Sequence, residues 1–491
     1  MKYFIGADLG TSALKLLLVD NCGRIAKTVS KSYDVRYPNP GWSEQAPEEW
    51  WNAFLDGMTE LTSSVEKYKI GGISVAGQMH GLVILDENDK VIRPTILWND
   101  GRTADETEYL NTEIGKEKLS DMTANIAFAG FTAPKLLWLK KNEKENFEKI
   151  AKIMLPKDYI IYRLTGKHVT DYSDASGMLI LDVKNKCWSK EMIEICGISE
   201  EQLPVLMESY DRLSILPEMA ELLSLPEDCA VAPGAGDNAS AAVGTGTVGE
   251  GRCNISLGTS GTVFISSDKF SVDSNNALHS FCHSDGGYHL MGCMLSAASC
   301  NKWFCEEILK TEDYAAEQVD ITDDKLGRNH VYFLPYLMGE RSPINDTDAR
   351  GVFIGMRPDT TRSDMIQAVL EGVAFAIRDN LEVAKKLGIN IEKSTLCGGG
   401  AKSKLWRTIM CNVLGIDIEI PECEEGPGFG GAMLAMVAAG EYSSVAECTK
   451  KLVGTKEVLK PDKEISGRYE EQYKKFSKIY PTLMSLYKEI K

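Results

Sequence analysis

The tetrapeptide Leu9-Gly10-Thr11-Ser12 recurs as Leu257-Gly258-Thr259-Ser260, 248 residues later in a chain of 491. Each copy falls in a tight turn between two strand-like runs: residues 3–7 and 14–20 around the first, 255–257 and 262–265 around the second. A repeat at half-length, in the same local context, indicates two related halves facing each other. The length agrees, because a single core stops growing near ~250–300 residues and two domains are then the expectation. Short apolar runs alternate with longer periodic segments, which makes the architecture α/β.

The two turns carry the ingredients of a phosphate site. Gly10 allows close backbone approach, Thr11 and Ser12 add small hydroxyls, and Lys15 follows as a cation. Asp8, at the end of its strand, suits Mg2+ held through water, since Mg2+ keeps most of its hydration. An ordinary hairpin turn is the plainer reading of either copy alone. With Gly258, Thr259 and Ser260 as the second copy, a polyphosphate can be gripped from both sides of a cleft. Three consecutive glycines precede Ala401 in L-C-G-G-G-A-K-S (396–403). After a strand and before a helix, Gly399, Gly400 and Ala401 let a base or ribose lie on bare backbone, the alternative being a flexible turn. The stretch G-P-G-F-G-G-A (426–432) is expected to open a helix over 432–439 and to allow close packing across the hinge.

Three further stretches offer polar groups for a small ligand. In A-P-G-A-G-D-N-A-S (232–240), Asp237 and Asn238 stand just before a helix, where Asp237 serves either as a site carboxylate or as an N-cap. In G-Q-M-H-G (77–81), Met79 and His80 sit on a loop at a strand end, His80 being either a polyol contact or a structural histidine. In I-L-W-N-D-G-R (96–102), Trp98 stacks on a sugar face or fills core, while Asp100 and Arg102 bind hydroxyls or each other.

Other classes are set aside. The net charge of −17 argues against nucleic acid or an anionic membrane as partner. The 13 cysteines include no C-x-x-C pair, which suits a reducing compartment. The N-terminus shows no signal-peptide pattern and no apolar run nears the ~20 residues of a span, so a cytoplasmic protein is expected. G-T-G-T-V-G (244–249) follows a helix-like segment rather than a strand, against a dinucleotide fold. H-S-F-C-H (279–283) lacks the glutamate of H-E-x-x-H and reads as structural, and no G-x-x-x-x-G-K-[ST] occurs. A long helix is expected over 362–387, and one amphipathic packing helix over 467–490.

Taken in order, D-L-G-T-S, W-S-E-Q (42–45), G-Q-M-H-G, I-L-W-N-D-G-R, G-F-T-A-P-K-L-L-W (130–138), L-P-K-D-Y (155–159) and G-D-N-A (236–239) resemble the FGGY carbohydrate kinases. S-L-G-T-S-G (256–261), L-S-A-A-S-C (295–300), G-E-R-S-P (339–343) and G-G-G-A (398–401) extend the resemblance over nearly the whole chain. A glycerol kinase of the family would carry Arg-Glu in place of Met79-His80. The resemblance implies two ribonuclease-H-like domains of the actin-like ATPase superfamily around a central cleft. Residues 1–248 would hold the sugar, and 249–491, with the C-terminal helix, mainly ATP. It implies Asp237 as catalytic base, Asp8 as the magnesium-linked carboxylate, and Met79, His80, Trp98 and Asn238 as sugar contacts. The implied reaction is ATP-dependent phosphorylation of a ketose, D-xylulose first, with another ketose or polyol such as ribulose as rival. A non-catalytic, sugar-responsive regulator is the rival of another class, and a sensor needs neither Asp8 nor Asp237. A homodimer is compatible with the sequence.

Overall fold

The computed structural model describes residues 2–63, 65–66 and 69–490. In the first half, Tyr3–Leu9 (β1), Ala13–Asp20 (β2), Ile25–Ser32 (β3), Ile70–Gly77 (β4), Leu213–Ser214 (β5), Ala230–Val231 (β6) and Ala235–Gly236 (β7) form one sheet. Its order is β5-β6-β4-β1-β2-β3, with β7 also paired to β4. Pro47–Thr62 (α1) begins on Pro47, where the missing N–H costs nothing, and Asp237–Gly244 (α2) leads out of β7.

The second half repeats this plan. Arg252–Leu257 (β8), Gly261–Ser267 (β9), His279–Cys282 (β10), Tyr288–Met294 (β11), Lys393–Cys397 (β12), Asp417–Pro421 (β13) and Thr455–Leu459 (β14) lie in the order β10-β11-β9-β8-β12-β13-β14. The central strand of each sheet is antiparallel to the strand after its glycine turn and parallel to a later one: β1 with β2 and β4, β8 with β9 and β12. Outward from β4, β6 is parallel and β5 antiparallel; outward from β12, β13 is parallel and β14 antiparallel. The four-residue echo in the sequence is therefore the visible trace of a repeated sheet.

The longer helices of this half are Arg362–Lys386 (α3), Lys404–Leu414 (α4), Gly426–Ala438 (α5), Lys463–Phe476 (α6) and Ile479–Glu489 (α7). α3 spans the expected long helix, capped by Thr361, whose Oγ1 accepts from Asp364 N. Two expectations are corrected. α5 starts at Gly426, so the glycines lie inside the helix rather than before it. Glycine is a poor helix former by about 1 kcal/mol, and tertiary packing overrides it here: a Cβ on Gly430 would come within 1.9 Å of the Ser240 carbonyl oxygen, and one on Gly6 within 1.8 Å of that of Gly428. The C-terminal segment is two helices, not one. Pro481 cannot donate within a helix interior and instead sits in the first turn of α7.

Alternation along β1 explains how the halves join. Ile5, Ala7 and Leu9 face a core containing Trp50, Trp51 and Phe54 of α1, whereas Phe4 packs with Phe429, Ala432 and Met433 of α5. A helix encoded late in the chain thus covers one face of the first sheet. Tyr469, Phe476 and Tyr487 of α6 and α7 close the core of the second half. Among the described residues, no helix is long and apolar enough to cross a membrane.

Candidate active site

β4 lies between β1 and β7, and this places the site. Ala76 pairs with Asp8 on one side and Ala235 on the other; Gly77 pairs with Leu9 and Gly236. All three strands run in parallel, so the residues that follow them emerge together at one edge of the sheet. These are the first turn, the 78–80 loop and Asp237. The Gln78 N–H donates to the Leu9 carbonyl at 2.9 Å, tying the first two together. Ligands of open α/β sheets bind outside such carboxyl ends.

Asp237 is the first residue of α2, which is preceded by Gly236 and has no side-chain cap, so Asp237 is not the N-cap. Its Oδ1 accepts from Asn238 N at 2.7 Å and from Asn238 Nδ2 at 3.0 Å. Oδ2 accepts no hydrogen bond among the described residues. Desolvation, and then the charge of Asp8, raise its pKa to about 7, against the stabilising Asn238 N–H. Beneath it, Gly236 N donates to Ser173 Oγ at 3.2 Å, and Ser173 Oγ to Asp171. Asp171 in turn pairs with the buried Lys157 at 2.9 Å. Burial raises the pKa of Asp8 to about 6; Lys15 lowers it and Glu425 raises it. The Asp8 carboxylate accepts no hydrogen bond among the described residues.

His80 occupies the left-handed region at φ 69°. Its Nδ1 lies 2.8 Å from the Gly177 carbonyl, which can only accept, so Nδ1 carries the proton and a neutral ring presents Nε2 as acceptor. Desolvation lowers its pKa to about 3, with Lys135 and Arg341 acting in the same direction. The His80 carbonyl is held by the buried Lys135 Nζ at 2.8 Å and by Thr132 Oγ1 at 3.1 Å. Met79 is buried against Gly177 and Gly236, so its side chain forms wall between the two loops. Trp98 is 48% exposed rather than core, and its Nε1 donates to Thr11 Oγ1 at 3.0 Å. Asp100 and Arg102 bind each other, Arg102 Nε and Nη2 reaching the carboxylate at 2.9 and 2.8 Å. Arg102 also stacks on Trp42, so this pair is framework.

Two adjoining cavities continue from Asn238 into the second half. One, of about 690 Å³, is lined by Asn238, Ser256, Thr262, Gly399, Ala401 and Lys402 among others. The next, of about 1010 Å³, is lined by Gly258, Thr259, Gly399, Gly400, Lys402 and Trp406 among others. They share Gly399 and Lys402, so the second turn and the glycine run border adjacent spaces. Gly10, Thr11, Ser12, Lys15 and Ser260 line neither; Ser12 and Ser260 are exposed at their turns. Lys15 Nζ is bonded to Glu425 Oε2 at 2.8 Å, across the halves. Sequence reasoning missed Glu425, which nothing local marks, and Lys135, which lies within G-F-T-A-P-K-L-L-W without a visible reason.

Two α/β halves of one topology, each with a glycine turn after its central strand, and a carboxylate pair beside Asn238, which lines a cavity of the second half, define a phosphotransferase of the actin-like ATPase type. Residues 3–244 match the N-terminal domain, and residues 253–439 the C-terminal domain, of the FGGY family of carbohydrate kinases. The chain belongs to that family. The xylulose kinase of Escherichia coli (strain K12) is 38% identical over 490 residues, covering 98% of this chain and 99% of that protein. Among solved structures, a ligand-bound xylulose kinase from Lactobacillus acidophilus superposes with a TM-score of 0.94 at 27% identity, covering 100% of both chains. A gluconate kinase from the same species reaches 0.93 at 27% identity, again over 100% of both. Backbone similarity alone does not separate those two sugars.

Proposed function

We propose that this carbohydrate kinase transfers the γ-phosphoryl group of ATP to the terminal hydroxyl of D-xylulose, giving D-xylulose 5-phosphate in the cytoplasm. The observation that carries the reading is the placement of Asp8 and Asp237 at the ends of the two strands that flank β4, close enough for the charge of one to act on the other, with Asn238 lining the adjoining cavity. The full-length identity to a xylulose kinase favours xylulose over gluconate.

Phosphoryl transfer depends on positioning and charge stabilisation more than on covalent chemistry. Asp237 accepts the proton of the attacking hydroxyl through its free Oδ2, while Asn238 fixes the carboxylate through Oδ1. A pKa near neutrality matches that task. The two spaces take the nucleotide, its phosphates against Gly258 and Thr259 of the second turn and its adenosine against Gly399, Gly400 and Ala401. His80 accepts a sugar hydroxyl at Nε2, and Trp98 and Met79 wall the sugar. Residues 1–248 thus hold sugar and 249–491 mainly nucleotide.

Asp8 fits a hard divalent cation: it is half-buried, with its pKa raised to about 6 and no donor on its carboxylate among the described residues. Mg2+ held there through water would supply charge neutralisation to the phosphates. The 5-hydroxyl of a 2-ketopentose is the one that closes its furanose ring, so the open chain is the reacting form.

A substrate panel tests the reading: D-xylulose, D-ribulose, glycerol and gluconate with ATP, with ADP formation as readout. D-xylulose should have the highest kcat/KM. A higher value for glycerol or gluconate overturns the substrate assignment.

A further inference from the structure

The loop 339–343 belongs to the second half, yet its arginine lies against Phe128 of the first. Glu340 Oε1 accepts from Leu295 N and Arg341 N, both at 2.8 Å, and Ser342 N donates to the Cys293 carbonyl at 2.9 Å. The backbone on either side of Arg341 is therefore fixed. Its guanidinium carbon stands 4.5 Å from the ring centre of Phe128. Phe128 and Phe131 are 5.6 Å apart, Phe131 is 4.7 Å from the His80 ring, and Phe128 is 5.0 Å from the His279 ring. Arg341 is half-buried and makes no ion pair among the described residues, though its charge acts on the neighbouring Glu340 and its side chain meets the Cys293 thiol.

His80 keeps its proton on Nδ1. His279 does the same: its Nδ1 lies 3.3 Å from Asn125 Oδ1, and Asn125 Nδ2 already donates to the Thr123 and Ser280 carbonyls, so Oδ1 is the acceptor. Both rings are neutral, since burial depresses both and the Arg341 charge depresses them further. Two histidine Nε2 acceptors and a guanidinium that makes no ion pair among the described residues thus share one aromatic wall. The Cys293 thiol is hydrogen-bonded to that guanidinium but is a weak acceptor, so a carbonyl oxygen is a better partner for this donor fork. An open-chain 2-ketose has hydroxyls, which can donate to Nε2, and a carbonyl, which can only accept.

We infer that Arg341 reads the C2 carbonyl oxygen of the ketose, so that the sugar site is assembled from both halves and selects ketoses over polyols. The inference rests on the ketose reading above. Sugar binding alone would then draw the second half onto the first, before nucleotide arrives.

The test compares wild type, Arg341→Met and Arg341→Lys on D-xylulose and on xylitol and D-arabinitol, the two pentitols that differ from it only at C2. Wild type should prefer the ketose. Arg341→Met should raise the ketose KM at least tenfold, leave the KM for ATP within threefold, and change kcat/KM for the pentitols less than threefold. The ketose preference then collapses. Arg341→Lys keeps the stem over Phe128 and the charge but loses the fork; an intermediate loss is expected, and it remains informative if the Met variant does not fold. An equal loss on ketose and pentitols, or a ketose KM within threefold of wild type, overturns the inference while leaving the kinase reading intact. Wild-type protein that fails to turn over any ketopentose overturns both.

Discussion

The indole N–H of Trp98 donates to Oγ1 of Thr11 at 3.0 Å, joining the exposed aromatic of the 96–102 stretch to the first glycine turn. Residues 87 apart in sequence are coupled here, one assigned to sugar and the other to phosphate. A net hydrogen bond contributes about 1 kcal/mol. Trp98→Phe keeps an aromatic face and loses the bond; Thr11→Val loses it from the other end. Each should raise the KM values for both sugar and ATP by roughly fivefold, and the double variant should be little worse than either single one. Full additivity would show that the bond couples nothing.

Lys15 meets Glu425 at 2.8 Å, with side chains 40% and 34% exposed. A nucleotide that takes Lys15 as a phosphate partner must compete with Glu425. Exposed pairs are worth about 0–1 kcal/mol, so Glu425→Gln should lower the KM for ATP by up to about fivefold. The gain should fade in high salt, where such pairs are screened. Lys15→Met should raise the same KM. A rise with Glu425→Gln would mean that Glu425 itself serves the nucleotide or its cation.

Glu371, on α3, is buried and accepts from Tyr469 Oη at 2.9 Å and Gln367 Nε2 at 2.7 Å. Desolvation raises its pKa from 4.5 to about 7 in spite of these donors. A folded-state acid with a raised pKa destabilises the native state once it ionises. The cost is absent below the unfolded value near 4.5, grows as pH rises, and is complete above about 7. Its ceiling is about 3 kcal/mol, from ~1.4 kcal/mol per pKa unit. Glu371→Gln keeps an oxygen for Tyr469 and cannot ionise. Its Tm should exceed that of wild type at pH 8, and the gap should close as pH falls toward 5. An equal gap at both values would assign the effect to packing instead.

How far the sequence reveals all this depends on what each residue contacts. Asp8 and Asp237 are legible because the turn and the pre-helix loop around them are local signals. The repeated sheet is legible through the echo at residues 9 and 257. The start of α5 is not, because Gly426, Gly428 and Gly430 read locally as loop, and what keeps them helical is the first half lying against them. Arg102 carries no local sign that Trp42 takes it up, nor Lys135 that it holds the His80 carbonyl. Pairings over 50 residues or more are set by the assembled fold.

Asp237 and Asp8 should fail differently when changed to asparagine. Asp237 has one oxygen fixed by Asn238 and one free; Asp8 has no donor among the described residues and lies beside Lys15 and Glu425. Asp237→Asn keeps the shape of the site but cannot take a proton. A general base is typically worth ~10²–10⁴ in rate, or about 3–5 kcal/mol. Its kcat should fall by that order, with sugar Kd within a few fold of wild type. Asp8→Asn removes a charge from where a cation would be held, so it should weaken the dependence on Mg2+ and nucleotide while sugar Kd holds. A loose transition state, with proton transfer late, would place the Asp237 loss at the lower end of the range. The deciding data are kcat, sugar Kd and a Mg2+ titration for both variants. Near wild-type turnover in Asp237→Asn would remove it from the chemistry, and since α2 has no side-chain cap, its carboxylate would then lack any assigned role.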